Sequence, residues 1–188
     1  MRVISGKLKG KLIHNPTDKT TRPLKDIVRE SIFNILEHSN NEKIKFNNNT
    51  ILDLFSGSGS FGIECLSRGV KKVYFFENYK PSLNILEKNI KDLELSKISI
   101  IKKIDAYKIS KDNLENEKIN LIYLDPPFKD KNINEILKRF KDFKIAQEST
   151  LIVLHRNKKL KEDFIKDFKI LREKTYGLSK IIFGKLLF

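Results

Sequence analysis

The sequence holds a single cysteine, Cys65, among 188 residues. That excludes an internal disulfide and a cysteine-rich zinc site. Its three histidines, His14, His38 and His155, are scattered without metal-ligand spacing, so no metal is expected. No apolar run approaches the roughly 18 residues that a membrane-spanning helix needs. The first ten residues carry basic side chains but no apolar stretch behind them, unlike a secretory leader. A cytoplasmic protein is the expectation. Acidic residues are also in deficit: 24 Asp and Glu stand against 38 Lys and Arg, a formal charge of +14. Such an excess favours a polyanionic partner, with nucleic acid ahead of a membrane surface. A chain rich in Lys, Asn and Ile together also gains part of such a charge from composition alone.

Hydrophobic residues make up 39% of the chain and 13 of its residues are Phe, enough for a packed core and too many for wholesale disorder. At about 150 residues per domain, the length suits one domain with an appendage, and a monomer is the default. Residues 2–13 read as a β-hairpin about Gly6 and Gly10, crowded with Arg2, Lys7, Lys9 and Lys11. Ile27, Ser31, Ile32, Ile35 and Leu36 have helical spacing, which predicts a helix over residues 25–38 with Arg22, Lys25 and Arg29 near its start. An Asn-rich stretch, 40–49, then separates an appendage (1–40) from a main body (50–188).

In the body, short runs at 51–55, 72–76, 98–101, 121–124 and 150–154 are apolar almost throughout, as in strands buried on both faces. Helical segments separate most of them. Alternation of β and α predicts a mostly parallel sheet with helices on both faces. Residues 168–175 and 178–187, joined at Tyr176-Gly177, predict a closing antiparallel pair, for seven strands in all.

Ligands of such sheets bind beyond the carboxyl ends of the strands. The first run ends in Asp53-Leu54-Phe55-Ser56-Gly57-Ser58-Gly59, with Gly62 completing a G-x-G-x-x-G string that is weak evidence alone. A carboxylate buried at Asp53 wants a cationic partner and repels a pyrophosphate. Glu77-Asn78 ends the second run, where a carboxylate can grip a ribose diol. Asp105-Ala106 follows the third, placed to reach an adenine amino group. Together these describe a site for an adenosine with a positive tail. Asp125-Pro126-Pro127-Phe128 follows the fourth. Two prolines remove two N–H donors and freeze the chain. What remains is the Asp125 carboxylate, the Pro126 carbonyl and the flat Phe128 ring. Acceptors beside a ring suit an exocyclic amino group on a nucleobase. Cys65 reads as core filler and the Lys158-Lys159-Leu160-Lys161 run as a solvated face.

These residues resemble the motifs of S-adenosylmethionine-dependent, Rossmann-like (class I) methyltransferases acting on amino groups. Three further strings narrow the resemblance: Arg2-Val3-Ile4-Ser5-Gly6 with Lys9-Gly10, Thr21-Arg22-Pro23 with Val28-Arg29-Glu30, and the segment from Gly62 to Arg68-Gly69. They are similar to the bacterial 16S ribosomal RNA guanine-N2 methyltransferases of the RsmD family, over nearly the whole chain. Leu24, Ile27 and Ser56 depart from it, where the family usually has Thr, Arg and Ala.

The resemblance implies S-adenosylmethionine as cofactor, held by Asp53, Phe55, Ser56, Gly57, Ser58, Gly59, Glu77, Asn78, Asp105 and Ala106. It implies that Asp125, Pro126, Pro127 and Phe128 hold the guanine, which must be looped out or flipped. Arg2, Lys7, Lys9, Lys11, Arg22 and Arg29 would hold the backbone of 16S ribosomal RNA, within a small-subunit assembly intermediate. An amino-methyltransferase acting on adenine or cytosine in DNA is the alternative, an NAD-dependent oxidoreductase a weaker one, and an RNA-binding module without activity the weakest.

Overall fold

A computed structural model describes residues 1–16 and 26–188. Thr21-Arg22-Pro23, and with it the expected RNA contact Arg22, lies outside the described residues. The main body follows the apolar runs closely. Strands β1 (Thr50–Leu54), β2 (Lys72–Phe76), β3 (Ser99–Lys102), β4 (Leu121–Leu124), β5 (Leu151–Asn157), β6 (Phe168–Tyr176) and β7 (Ser179–Leu186) form one sheet, in the order β3-β2-β1-β4-β5-β7-β6. The first five pair in parallel, whereas β5–β7 and β6–β7 are antiparallel. The chain runs outward from β1 through β2 to β3, then returns to β4 on the other side of β1. That reversal opens a crevice at the carboxyl ends of β1 and β4.

Alternation along the strands sorts the side chains into two cores. Ile51, Val73, Phe75, Leu121, Tyr123, Val153 and Phe183 face one way. They pack beneath helices α1 (Asp26–His38), α2 (Ser60–Ser67) and α3 (Lys80–Asp92). Leu52, Leu54, Tyr74, Phe76, Ile122, Leu124 and Ile152 face the other way, against Ile133, Ile136, Leu137 and Phe140 of helix α4 (Ile133–Asp142). Helices thus cover both faces, though unequally. Between β3 and β4 the second face has two short 3-10 turns, residues 106–108 and 111–114, in place of an α-helix. The cause is local. Ser110 and Asn113 bond each other's backbone in a capping box, and Glu115 and Asn116 turn left-handed at φ 51° and 58°, which stops any helix there.

The N-terminal segment folds as a small hairpin, bridged between Arg2 and Leu12. It is fastened to the body by a buried carboxylate. Glu64 on α2 accepts the N–H groups of Ile4 and Ser5 at 2.8 and 2.9 Å, and is paired with Arg68 at 2.9 Å. Val3 and Ile13 of the hairpin and Val28, Ile32, Phe33 and Leu36 of α1 belong to the same core as the sheet.

Arg29 corrects an expectation. It is 0% exposed, and its guanidinium holds the Arg2 carbonyl at 2.5 Å and Asp26 at 3.0 Å. It cannot reach RNA from there; it joins the hairpin to α1. Arg2 stays exposed and gives one N–H to the Gly10 carbonyl across the hairpin at 2.7 Å. Lys7, Lys9 and Lys11 are exposed on the hairpin. Among the described residues no helix is long and apolar enough to cross a membrane.

Candidate active site

The crevice is walled on one bank by the loop from β1 to α2. Asp53, the fourth residue of β1, is 1% exposed. Its Oδ2 accepts the Gly62 N–H at 3.0 Å, while its Oδ1 is buried without a hydrogen-bond partner among the described residues. Burial pushes its pKa well above the usual carboxylate range; the Gly62 N–H opposes this, and the nearby charges of Asp125 and Glu77 add to it.

Phe55 then takes a left-handed φ of 59°, a strained conformation for a bulky residue, and rests its ring against Tyr107 with centroids 5.7 Å apart. Ser56 is buried and ties two strands together: its hydroxyl donates to the carbonyls of Asp53 at 2.7 Å and Phe76 at 3.2 Å. Where the resemblance has alanine, this chain adds a hydroxyl beside a link to Phe76 that the Ser56 N–H already makes at 3.1 Å.

Gly57 and Gly59 both have left-handed φ, 56° and 80°, but differ in what surrounds them. A Cβ on Gly57 would meet nothing within 4 Å, so its face opens on the crevice; one on Gly59 would strike Leu86 Cδ1 at 2.4 Å. The Gly57 N–H donates to Glu77 Oε2 at 2.7 Å, and Glu77 Oε1 takes the Tyr79 N–H at 2.8 Å. Glu77 is 9% exposed and burial raises its pKa. Asn78 is exposed beside it.

Asn89 on α3 is a residue that the sequence reading missed. Its amide holds the carbonyls of Ser58 and His14, each at 2.9 Å, and accepts the His14 N–H at 2.8 Å. It links the end of the hairpin to the glycine loop. A polar residue between the buried Leu86 and Ile90 on one helix face was the available signal.

At the end of β3, Asp105 is half-buried and caps the short turn that follows, accepting the Tyr107 N–H at 3.0 Å; Ala106 is buried. The Tyr107 hydroxyl donates to Asp130 at 2.7 Å, so this loop touches the one after β4.

The other bank is Asp125-Pro126-Pro127-Phe128. The Asp125 N–H donates to the Leu54 carbonyl at 3.3 Å, which ties this loop to the end of β1. Positions 125 and 57 therefore both lie just beyond the carboxyl ends of the neighbouring strands β4 and β1. Both Asp125 oxygens are engaged: Oδ1 with His155 Nδ1 at 2.8 Å, Oδ2 with the Tyr123 hydroxyl at 3.3 Å. Tyr123 is buried against Phe61, ring centroids 3.9 Å apart, and burial keeps its phenol protonated far above the ordinary range. Phe128 meets His155 edge-on at 5.4 Å.

His155 reads from sequence as one more scattered histidine. Register places it: Leu124 pairs with Leu154, so the next residues, Asp125 and His155, are neighbours. The following residue, Arg156, is 0% exposed and secures the loop's far end through the Asp130 carbonyl at 2.6 Å and through Glu162.

A buried carboxylate whose Oδ1 has no partner among the described residues on one bank, and proline-stripped acceptors on the other, stand at the switch point of a Rossmann-like sheet, where such folds bind their ligands. Comparison supports the fold first and then gives the family. A structure titled "Putative methyltransferase yhhF from Escherichia coli" superposes with a TM-score of 0.79 at 23% identity, covering 99% of this chain and 97% of the other. A family model described as "Conserved hypothetical protein 95" matches residues 1–185. Relatives include the "Putative rRNA methyltransferase YlbH" of Bacillus subtilis, 32% identical over 98% of each chain. Another is the "Ribosomal RNA small subunit methyltransferase D" of Buchnera aphidicola, 30% identical over 84% of this chain and 78% of the relative. The chain belongs to this family, the RsmD family of ribosomal RNA methyltransferases.

Proposed function

We propose that the protein methylates the exocyclic N2 amino group of a guanine in 16S ribosomal RNA, with S-adenosylmethionine as methyl donor. The observation that carries this reading is the placement, at the same end of adjacent strands, of Asp53, whose buried Oδ1 has no partner among the described residues, and Asp125 at the head of two prolines. An ammonium group satisfies Asp53 as a phosphate cannot. The residues present thus fit an adenosine with a cationic amino-acid tail. Gly57 and Gly59 border the tail with Phe55, Ser56 and Ser58 around them, Glu77 with Asn78 holds the ribose, and Asp105 with Ala106 meets the adenine. When bound, S-adenosylmethionine supplies an electrophilic methyl group on a sulfonium sulfur, which keeps the electron pair as the methyl leaves.

Asp125 and the Pro126 carbonyl accept the two hydrogens of the guanine amine. That nitrogen is a weak nucleophile because its lone pair is delocalised into the ring. Gripping both hydrogens favours a pyramidal nitrogen and aims its lone pair across the crevice. The same acceptors stabilise the positive charge that develops on nitrogen, and one N–H proton then leaves to water to give the neutral methylated amine. Pro127 holds the turn rigid and Phe128 stacks on the base. Residues 1–40 serve as an RNA-facing appendage to the methyltransferase domain, 50–188, with Arg2, Lys7, Lys9 and Lys11 along the RNA backbone. The name of the Buchnera relative, which specifies the small ribosomal subunit, supports that substrate. A partly assembled small-subunit particle and a monomeric enzyme complete the reading.

Nucleoside mass spectrometry of ribosomal RNA tests it. Cells lacking the protein should lose one N2-methylguanosine from 16S RNA, and the purified enzyme should restore it with labelled S-adenosylmethionine. Unchanged N2-methylguanosine, or label delivered to adenine or cytosine of duplex DNA, would overturn the reading.

A further inference from the structure

We propose that His155 is a positioning residue, holding the Asp125 carboxylate in its amine-accepting orientation by donating its Nδ1–H to Oδ1. The inference rests on the role given to Asp125 above and extends it to a residue that does not touch the substrate. The His155 side chain is 6% exposed, its Nδ1 lies 2.8 Å from Oδ1, and the edge of Phe128 stands against the ring. An ionised carboxylate only accepts, so the nitrogen facing it must carry the proton. In the neutral ring Nε2 is then unprotonated, and it is buried without a hydrogen-bond partner among the described residues. Among the described residues, the imidazole is therefore held through Asp125 on its polar side.

From the other side the Tyr123 hydroxyl reaches Oδ2. Two donors on two adjacent strands thus fix the carboxylate about its χ2 axis, a torsion that is otherwise soft. Each oxygen keeps a lone pair for the incoming amine. Free rotation of Asp125 would put its acceptor out of line with the Pro126 carbonyl, and misplacement by about 1 Å can cost about 100-fold in rate.

The test uses the full chain, labelled S-adenosylmethionine and small-subunit particles from cells lacking the protein. His155→Leu should lower kcat by about 10- to 100-fold while leaving the affinity for S-adenosylmethionine within threefold (~0.65 kcal/mol). His155→Asn should recover most of the lost kcat, because its amide nitrogen can stand where Nδ1 stands. A merely structural histidine would give the opposite pattern: cofactor affinity and thermal midpoint falling together, with no recovery in Asn. That pattern, or wild-type kcat in His155→Leu, would overturn the proposal. A second measurement needs no substrate. Nitrogen-15 NMR of the histidine rings should show His155 in the Nδ1–H tautomer, and finding the Nε2–H tautomer would overturn the proposal. Failure of the wild-type enzyme to methylate the particles would instead count against the guanine reading, with the tautomer still deciding this one.

Discussion

Two aspartates stand at the same end of adjacent strands and are treated in opposite ways. Asp53 lies one residue inside the end of β1, level with Tyr123; Asp125 lies one residue past the end of β4. Two residues of depth separate them. Asp53 is closed over, has one oxygen without a partner among the described residues, and is made reluctant to ionise by burial. Asp125 is partly open, and both its oxygens are already engaged by side chains. The first is a site in want of a cation. The second is an acceptor whose direction has been fixed before any substrate arrives. A transfer enzyme needs both kinds. A tight grip on the donor comes from relieving an unfavourable charge, and rate comes from acceptors that need no reorganisation.

Breaking Asp125 should produce the largest effect. Asp125→Ala should lower turnover by about 100- to 1,000-fold, the scale for losing one well-placed electrostatic group, with cofactor affinity nearly unchanged. Single-turnover methyl transfer beside calorimetric titration separates the two. The alanine also strands the His155 N–H, so Asp125→Asn is the control: its amide oxygen keeps that bond while the charge is gone. Equal turnover in both variants and wild type would remove Asp125 from the mechanism.

The glycine loop should give the next largest effect, in binding instead of turnover. Gly57→Val places its side chain in open space, where the cofactor's tail is proposed to lie, so affinity for S-adenosylmethionine should fall at least about 10-fold, which is about 1.4 kcal/mol. Its φ of 56° adds strain of about 1–2 kcal/mol for a side chain. Gly59→Ala strikes Leu86 instead, so its loss should appear first in thermal stability. If both variants lost stability alone, the crevice face of Gly57 would not be a ligand surface.

Asp53 sharpens the comparison through pH. Burial raises its pKa in the fold above its unfolded value, so the folded chain binds an extra proton in the window between the two. Stability therefore falls as pH rises through that window, and Glu77 contributes with the same sign. A cationic ligand favours the ionised carboxylate, so affinity for S-adenosylmethionine should rise with pH over the same window and binding should release a proton. Asp53→Asn should flatten the affinity profile and weaken binding at neutral pH. A pH-independent affinity in the wild type would show that no cation sits against Asp53.

Much of this was legible from the residues in order. Near-continuous apolar runs marked the strands, because a strand buried on both faces has no polar side to show. The loops after β1 and β4 were legible because glycine and proline leave few backbone options. Partnerships across the sheet were not. His155 meets Asp125 only through the register of β4 and β5, thirty residues apart in the chain, and a lone histidine carries no sign of that. Arg29 misled for another reason: a basic residue on a helix reads as a contact with RNA. Yet Ile32 and Phe33, three and four positions on, are both buried, so Arg29 shares their face. Its neighbours held the answer, and its charge hid it.

The smallest expected effect lies on the hairpin. Arg29 and Glu64 spend their charge inside, fastening the hairpin to α1 and α2. Lys7, Lys9 and Lys11 point theirs outward. If those three neutralise phosphates, the affinity for small-subunit RNA should fall with salt on a logarithmic slope of about 0.7–0.9 per phosphate contact. Replacing all three with Gln should reduce that slope by about 2–3 and weaken binding several-fold at moderate salt. S-adenosylmethionine affinity should not move, since none of the three lysines is among the residues assigned to its site. Filter binding across a salt series reads the slope directly. An unchanged slope would mean that the RNA lies elsewhere, and that the excess positive charge of this hairpin does nothing that Arg29 and Glu64 do not already do from within.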